Sequence, residues 1–524
     1  MFYRGAQLAD NADFCAAMNA CERKNRERDA QIHHSVCRIN AYTEQVDVLE
    51  PYKDRESSKG VGTGFVIKVK DEMLVATAFH VVDEAVRLQL VFEQYFSGRP
   101  LNAHCIGGNP VLDVALLRIE DDDADLSTIP PIRTGDSDAL TPLDVVSALG
   151  FALGQKHLQT SSGVISGRKA TPNRIQADVA VNPGNSGGPA LSDAGLVIGL
   201  VTSGHSHAQG LNYLAPMNES MKVFESILAA KGDKDAPHYT TGLSFNVHVA
   251  QMNDVLIRTI GCDSGVFVTT TNPLSTEESE QLLPSDVLCK IDIPNQNLSF
   301  PIDMQMRIQA PWARGKIEFH SILDRLDSSR GASGVDESEP IVFHVLRGAN
   351  MDAPRAIKTT LQPSRYVLRE MYPYIEPLRF VSRGGVVVQM LSENVQRKSS
   401  WIKRCRYADF PEMDMHSVLI ITHIAPSSPF AHDDAIGIYD YVEAVNNHMT
   451  RRTASTDALQ AFATSFAKED ANPVITLRMR DGTMASASQE QIKEYESQAA
   501  PKSVSIAGKV SVCTFRSGCQ NVMG

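Results

Sequence analysis

Asn182-Pro183-Gly184-Asn185-Ser186-Gly187-Gly188-Pro189 is the stretch on which the reading of this chain turns. A serine hydroxyl is a poor nucleophile. It needs a base, an exposed position and N–H donors aimed at the oxyanion that develops during attack. Glycines on both sides of Ser186 let the backbone turn tightly and bring amides close to a substrate. The N–H groups of Gly184 and Ser186, with Asn185 between them, are the expected oxyanion donors. Taken alone, the eight residues also read as a Gly-rich hairpin with an incidental serine.

Working outward, the base and its orienting acid must come from elsewhere. Thr77-Ala78-Phe79-His80-Val81-Val82 closes an apolar strand and places His80 where a loop begins. Leu112-Asp113-Val114-Ala115-Leu116-Leu117 brings a carboxylate to the entry of an apolar strand. Such a carboxylate is expensive to bury without a partner, and His80 is the natural one. The third member of a triad holds the imidazole in its working tautomer. The order is His80, Asp113, Ser186.

Residues 36–230 carry short β-branched runs punctuated by Gly, Pro, Asn and Asp, the pattern of an all-β sandwich or barrel. Examples are Gly64-Phe65-Val66-Ile67, Leu74-Val75-Ala76-Thr77 and Leu196-Val197-Ile198-Gly199-Leu200-Val201. Met217–Leu228 reads as a closing helix, with Met221, Phe224 and Ile227 on one face. Residues 1–35 read as a polar, partly helical extension, and Lys231–Pro237 as a linker. Beyond it two segments share one rhythm: a strand, a Pro- and Ser-rich loop, then an acidic turn into another strand. The first runs Gly265–Val268, Asn272–Ser275 and Leu283–Leu288. The second runs Ser417–Ile421, Ala425–Pro429 and Gly437–Val442, after an insert that includes residues 401–415. The expected units are therefore 36–230, 238–362 and 375–485, with a flexible tail over 486–524.

Composition narrows the class. At 524 residues and 43% hydrophobic, the chain is globular and multidomain. No run nears the roughly 18 apolar residues of a membrane span. A net charge of −12 argues against nucleic acid as a partner. The nine cysteines lack a CxxC pair, which argues against a zinc site or a disulfide framework. Free thiols, and a start without an apolar leader core, lead to the expectation of an intracellular protein of the cytoplasm or nucleus, or of an organelle. Arg23–Arg28 reads as a solvated helix face rather than a nuclear address. His33-His34 has no ligand spacing to support a metal centre.

These motifs resemble the HtrA/Deg branch of trypsin-like serine proteases, whose core is a T-x-x-H strand end, a D-x-A-L-L strand and G-N-S-G-G-P. All three occur here in order, and Gly62–Ile67, Ser162–Ser166 and Ile175–Asp178 resemble further segments of that core. One departure is Phe79, where the family has a small residue. The resemblance implies a mainly β chain: a trypsin-like double β-barrel followed by two PDZ-like α+β domains, the second divergent as in some plant Deg proteases. It implies an ATP-independent serine endopeptidase acting on misfolded or damaged proteins, a homo-oligomer (trimer or hexamer), and no metal or cofactor. It places the P1 pocket at Val179, Ala180 and Val181, whose apolar character favours a small or medium aliphatic residue. It lines the cleft with Tyr213, Leu214 and Ala215, and assigns peptide carboxylate capture to Gly242, Leu243, Ser244 and Phe245. The alternative is a PDZ-bearing scaffold or holdase with a latent protease domain.

Overall fold

The computed structural model describes residues 26–51, 56–169, 174–204, 211–230, 237–239, 243–245, 247–253, 255, 257–258, 264–271, 282–312, 315–323, 340–348, 350–360, 362–363, 371–373, 375, 378–398, 418–431, 435–446, 448–449, 458–467 and 473–498. A helix over residues 26–34 (α1) leads into six strands: β1 (Val36–Gln45), β2 (Glu56–Val69), β3 (Glu72–Thr77), β4 (Ala85–Phe92), β5 (Leu101–Asn109) and β6 (Val114–Ile119). They run in the order β5-β4-β1-β2-β3-β6, and pairing of β6 with β5 closes the ring. A second closed barrel holds β7 (Val145–Gly150), β8 (Gln159–Lys169), β9 (Arg174–Ala177), β10 (Pro189–Ser192), β11 (Val197–Gly204) and β12 (Asn212–Pro216).

Strands β3 and β6 are nearly continuous apolar runs because both of their faces are buried. On β2, Phe65 and Ile67 enter a core shared by the two barrels, while Val66 points into the first barrel. On β6, Val114 and Leu116 face the shared core and Ala115 and Leu117 the barrel interior. From the other side, Leu149, Phe151 and Leu200 join the shared core, with Val223, Phe224 and Ile227 of the helix α3 (Met217–Ala229). Each fully buried side chain of this size contributes roughly 1.5–3 kcal/mol. Barrel-on-barrel packing is thus a hydrophobic commitment, and it fixes the cleft in which the polar residues meet. Helix α1 takes part, for Ile32 is buried in the same core. The N-terminal extension therefore docks at its end; residues 1–25 lie outside the described residues.

Downstream of the second barrel, β13 (His238–Tyr239) does not start a new unit as expected. It pairs in parallel with β5, His238 opposite Gly107 and Tyr239 opposite Gly108. A Cβ at position 107 would lie 2.1 Å from the His238 carbonyl oxygen, so this approach requires glycine. The next sheet orders Val247–Ala250, Val266–Thr271, Val287–Ile293, Pro340–Arg347 and Asn350–Thr360, with a core of Phe245, Phe300, Phe319 and Phe343. A further antiparallel sheet runs from Phe380–Arg383 to Met484–Ser488.

The sequence rhythm shared by these two units has a structural counterpart. Val266–Thr271 pairs with Val287–Ile293, and Leu419–Ile424 with Tyr441–Val445. In each, the acidic turn is closed by its own aspartate: Asp286 Oδ2 accepts from Leu283 N–H at 2.8 Å, and Asp440 Oδ2 from Gly437 N–H at 2.6 Å. The tail expected to be flexible from 486 is instead ordered to 498. Ser488 Oγ accepts from Gln491 N–H at 3.0 Å and Gln491 Oε1 from Ser488 N–H at 2.9 Å, a reciprocal cap that opens the helix Gln489–Gln498. Ile492 is fully buried. A polar composition concealed a capped, one-sided helix.

Candidate active site

His80 sits on α2 (Phe79–Val82), a single turn entered directly from β3. Phe79, Val81 and Val82 are buried, so the turn is pinned by its neighbours and His80 is left facing outward, its side chain 49% exposed. Asp113 is the last residue of the four-residue hairpin loop between β5 and β6, with φ of +58°. Aspartate tolerates this left-handed conformation better than most residues.

The Asp113 carboxylate accepts from His80 Nδ1–H through Oδ2 at 2.8 Å and Oδ1 at 3.0 Å, and Oδ1 also takes the His80 backbone N–H at 2.9 Å. A carboxylate only accepts, so the neutral imidazole carries its proton on Nδ1 and leaves Nε2 with a free lone pair. Burial opposes protonation of His80 most strongly. The Asp113 hydrogen bond, the Asp113 charge and the Asp83 charge together outweigh it, and the pKa stands above the ordinary 6.5.

Ser186 lies half-buried on the loop before β10, its Oγ donating to the carbonyl of Thr202 on β11 at 3.4 Å. That bond is long for a hydroxyl donor and holds the side chain weakly. Among the described residues the Ser186 hydroxyl makes no hydrogen bond to His80. The loop backbone is firmly held: Asn185 N–H donates to Asn182 at 3.0 Å, Gly187 N–H to Val201 at 2.7 Å and Gly188 N–H to Asn185 at 3.0 Å. Gly184 N–H and Ser186 N–H have no acceptor among the described residues. Asn185, expected beside them, spends its amide within the turn. The Pro183 carbonyl accepts from Leu153 N–H at 2.6 Å. In a planar trans peptide this turns the Gly184 N–H the opposite way. Gly184 has φ of +99°, and a Cβ there would lie 2.3 Å from the Phe151 carbonyl oxygen.

Sequence reasoning missed Thr63. This residue of the first barrel is fully buried, and its Oγ1 donates to the Gly184 carbonyl at 2.6 Å and accepts from Phe151 N–H at 3.0 Å. Its own N–H donates to the Ser186 carbonyl at 2.9 Å, and its carbonyl accepts from Thr77 Oγ1 at 2.8 Å. A hydroxyl residue between two glycines, at the start of the apolar half of its strand, was the available signal. Phe79, the departure noted above, packs edge-on against Tyr239 at 5.9 Å and Tyr372 at 5.7 Å between centroids.

Several expected lining residues are placed elsewhere. Val179 and Leu214 are fully buried in the second barrel's core and Ala215 in the shared core, so they do not line a pocket. Ala180 is exposed, and Val181 and Tyr213 are half-buried. The strand beside Ser186 is β11, through Val201 and Thr202, rather than β12. Barrel closure explains this, because β12 is covered by β11 on one edge and β9 on the other. In the downstream unit, Leu243 and Ser244 pair with Pro363 and Gln362. Phe245 is a core residue stacked on Phe319, not a loop residue open to a peptide. Gly242 lies outside the described residues.

Residues 62–200 match the family of trypsin-like peptidase domains. The chain is 29% identical over 271 residues to HhoB of Synechocystis sp., which is named a serine protease, covering 48% of this chain and 60% of that one. It is 29% identical over 252 residues to a protein of Marinomonas sp. named as a DegP-like periplasmic serine endoprotease, covering 46% and 50%. The HtrA-type protease AlgW, solved with a decapeptide, aligns at a TM-score of 0.46 and 20% identity, over 64% of this chain and 98% of that one. The chain thus spans between half and three-fifths of the length of these two curated relatives. The chain is thus similar to proteins named as HtrA/Deg-type serine proteases. The expected cytoplasmic or nuclear location is corrected by the periplasmic naming of the Marinomonas relative, which points outside the cytoplasm. Cys37, Cys105 and Cys289 are free among the described residues, but free thiols do not fix the compartment, because a double barrel with a large core needs no cross-links anywhere. Among the described residues no helix is long and apolar enough to cross a membrane.

Proposed function

We propose that the protein is a serine endopeptidase of polypeptides, with Ser186 as nucleophile, His80 as general base and then acid, and Asp113 as the group that orients His80. The observation that carries this reading is the double contact of the Asp113 carboxylate with His80 Nδ1, which leaves Nε2 as the only basic nitrogen. In this reading the Ser186 hydroxyl leaves Thr202 and turns to that nitrogen when a substrate binds. Active-site hydrogen bonds commonly tighten only when substrate arrives. The Ser186 oxygen then attacks the scissile carbonyl as its proton passes to His80, and the amides of Gly184 and Ser186 receive the oxyanion. His80 returns the proton to the leaving amine. The acyl-enzyme is hydrolysed by water along the same path.

The two downstream sheets are read as PDZ-like modules that select or regulate client chains, and the working form as a homo-oligomer. Polypeptide clients accord with relatives named as serine endoproteases, and we read those clients as unfolded or damaged chains.

The test is labelling of the full chain with a fluorophosphonate, together with casein hydrolysis. Labelling at Ser186, and loss of both signals in Ser186→Ala at an unchanged melting temperature, support the assignment. Full hydrolysis by Ser186→Ala ends it, and a folded wild type that neither labels nor cleaves favours a scaffold.

A further inference from the structure

Arg174 opens β9 in the second barrel, yet its guanidinium Nη2 donates to the carbonyl of Val111 in the first, at 2.6 Å. The arginine is 7% exposed. Burying a permanent cation carries a large desolvation cost, so a fold retains one where its hydrogen bonds do something that packing does not. Val111 lies two residues before Asp113 in the same hairpin loop. Its own side chain is 41% exposed, so apolar burial does not anchor the loop at that point. Two further ties are Leu112, buried in the shared core, and Asn109 Oδ1, which accepts from Leu112 N–H at 2.7 Å.

We infer that Arg174 is a positioning residue for the orienting acid: by holding the Val111 carbonyl from across the barrel boundary, it fixes the loop that presents Asp113 to His80. The inference rests on the triad reading above. A non-glycine residue in the left-handed region costs some backbone energy, less for aspartate than for most, and its surroundings must hold it there. Asp113 is such a residue, and three separate ties within five positions supply that constraint. Thr63 performs the reciprocal task, reaching from the first barrel to the Ser186 loop of the second. Each reactive loop is therefore secured by the opposite barrel, and the relative placement of acid, base and nucleophile is set by barrel packing rather than by either loop alone.

The test uses the full chain carrying Arg174→Met, which keeps length and loses every donor, and Arg174→Lys, which keeps a cationic donor. With Asp113 unfixed, kcat should fall by about a hundredfold, the scale expected of a small misplacement in an active site, at nearly unchanged KM. The groups facing His80 are Asp113 and Asp83, so loss of the Asp113 contact should also move the acid limb of the kcat/KM profile to lower pH. The low-field proton resonance of His80 Nδ1–H should weaken in parallel. Arg174→Lys should recover a large part of all three. A variant that merely lost stability would change its melting temperature without moving the limb or the resonance. If Arg174→Met does not fold, Arg174→Gln, which keeps a neutral donor on a shorter side chain, should shift the limb in the same direction. Wild-type kcat, limb and resonance in Arg174→Met, or in folded Arg174→Gln, overturn the inference while the labelled wild type leaves the triad standing. A wild type that neither labels nor cleaves overturns both.

Discussion

Thr63 Oγ1 donates a 2.6 Å hydrogen bond to the carbonyl of Gly184, joining the first barrel to the nucleophile loop of the second. The same oxygen accepts the Phe151 N–H, so one buried hydroxyl satisfies two backbone groups. Thr63→Val is nearly isosteric and strands both. It should cost about 1–3 kcal/mol per unsatisfied group and lower kcat by at least tenfold, as the Gly184 amide drifts from its place. Thr63→Ser keeps the hydroxyl and should retain most of the activity. Thermal melting and steady-state kinetics on a peptide substrate check both.

The acid limb of the activity profile should lie above 6.5. Catalysis needs neutral His80, and the Asp113 and Asp83 charges hold its pKa above the ordinary value despite burial. Asp113→Asn should move the limb down and reduce kcat by about 10⁴-fold. The stability sign follows from the same shift. Protonated His80 favours the folded state fully below 6.5, and the contribution fades as pH rises through the raised value. Asp113→Asn should therefore lose relative stability mainly on the acid side, as measured by melting temperature against pH.

Gly184→Ala should abolish labelling by a fluorophosphonate. The new methyl would meet the Phe151 carbonyl oxygen at 2.3 Å in a left-handed conformation that alanine resists. Relief by turning the Pro183–Gly184 peptide would remove one oxyanion donor, a loss of about 10²–10³ in kcat.

Asp286 is 1% exposed at its side chain and is held by Arg347 through two 2.7 Å bonds, Nε to Oδ1 and Nη2 to Oδ2. Arg347→Leu leaves a buried carboxylate without its cation and should destabilise that unit by about 3–5 kcal/mol. Lost amide protection in Val287–Ile293 and Pro340–Arg347, with the barrels unaffected, is the expected readout. The reverse change, Asp286→Asn, should be milder because it removes the charge that needs compensation.

What could be read from the chain followed local chemistry. Ser186, His80 and Asp113 each sat beside a break in an apolar run, where polar groups have a reason to exist. The acidic turns at Asp286 and Asp440 were visible because the caps they form span only three residues. The misses share a different cause. Leu214 and Ala215 were assigned to the cleft, but which face of a strand looks inward depends on barrel closure, a long-range property. Arg174 and Thr63 act on loops of the opposite barrel, and no sequence spacing announces a partner 63 or 121 positions away. The Ser488–Gln491 cap was local and legible, yet the Ser- and Gln-rich composition around it masked the signal.

The two-residue ladder between β13 and β5 has a mechanical consequence. β5 is also the strand that turns into Asp113 just beyond this ladder, and Tyr239 on β13 leans against Phe79, the neighbour of His80. Tension on the chain leaving the barrel is therefore loaded in shear along the strand that carries the acid and against the turn that carries the base. The exit of the polypeptide from the barrels runs through the part of the molecule that holds the proposed acid and base in register.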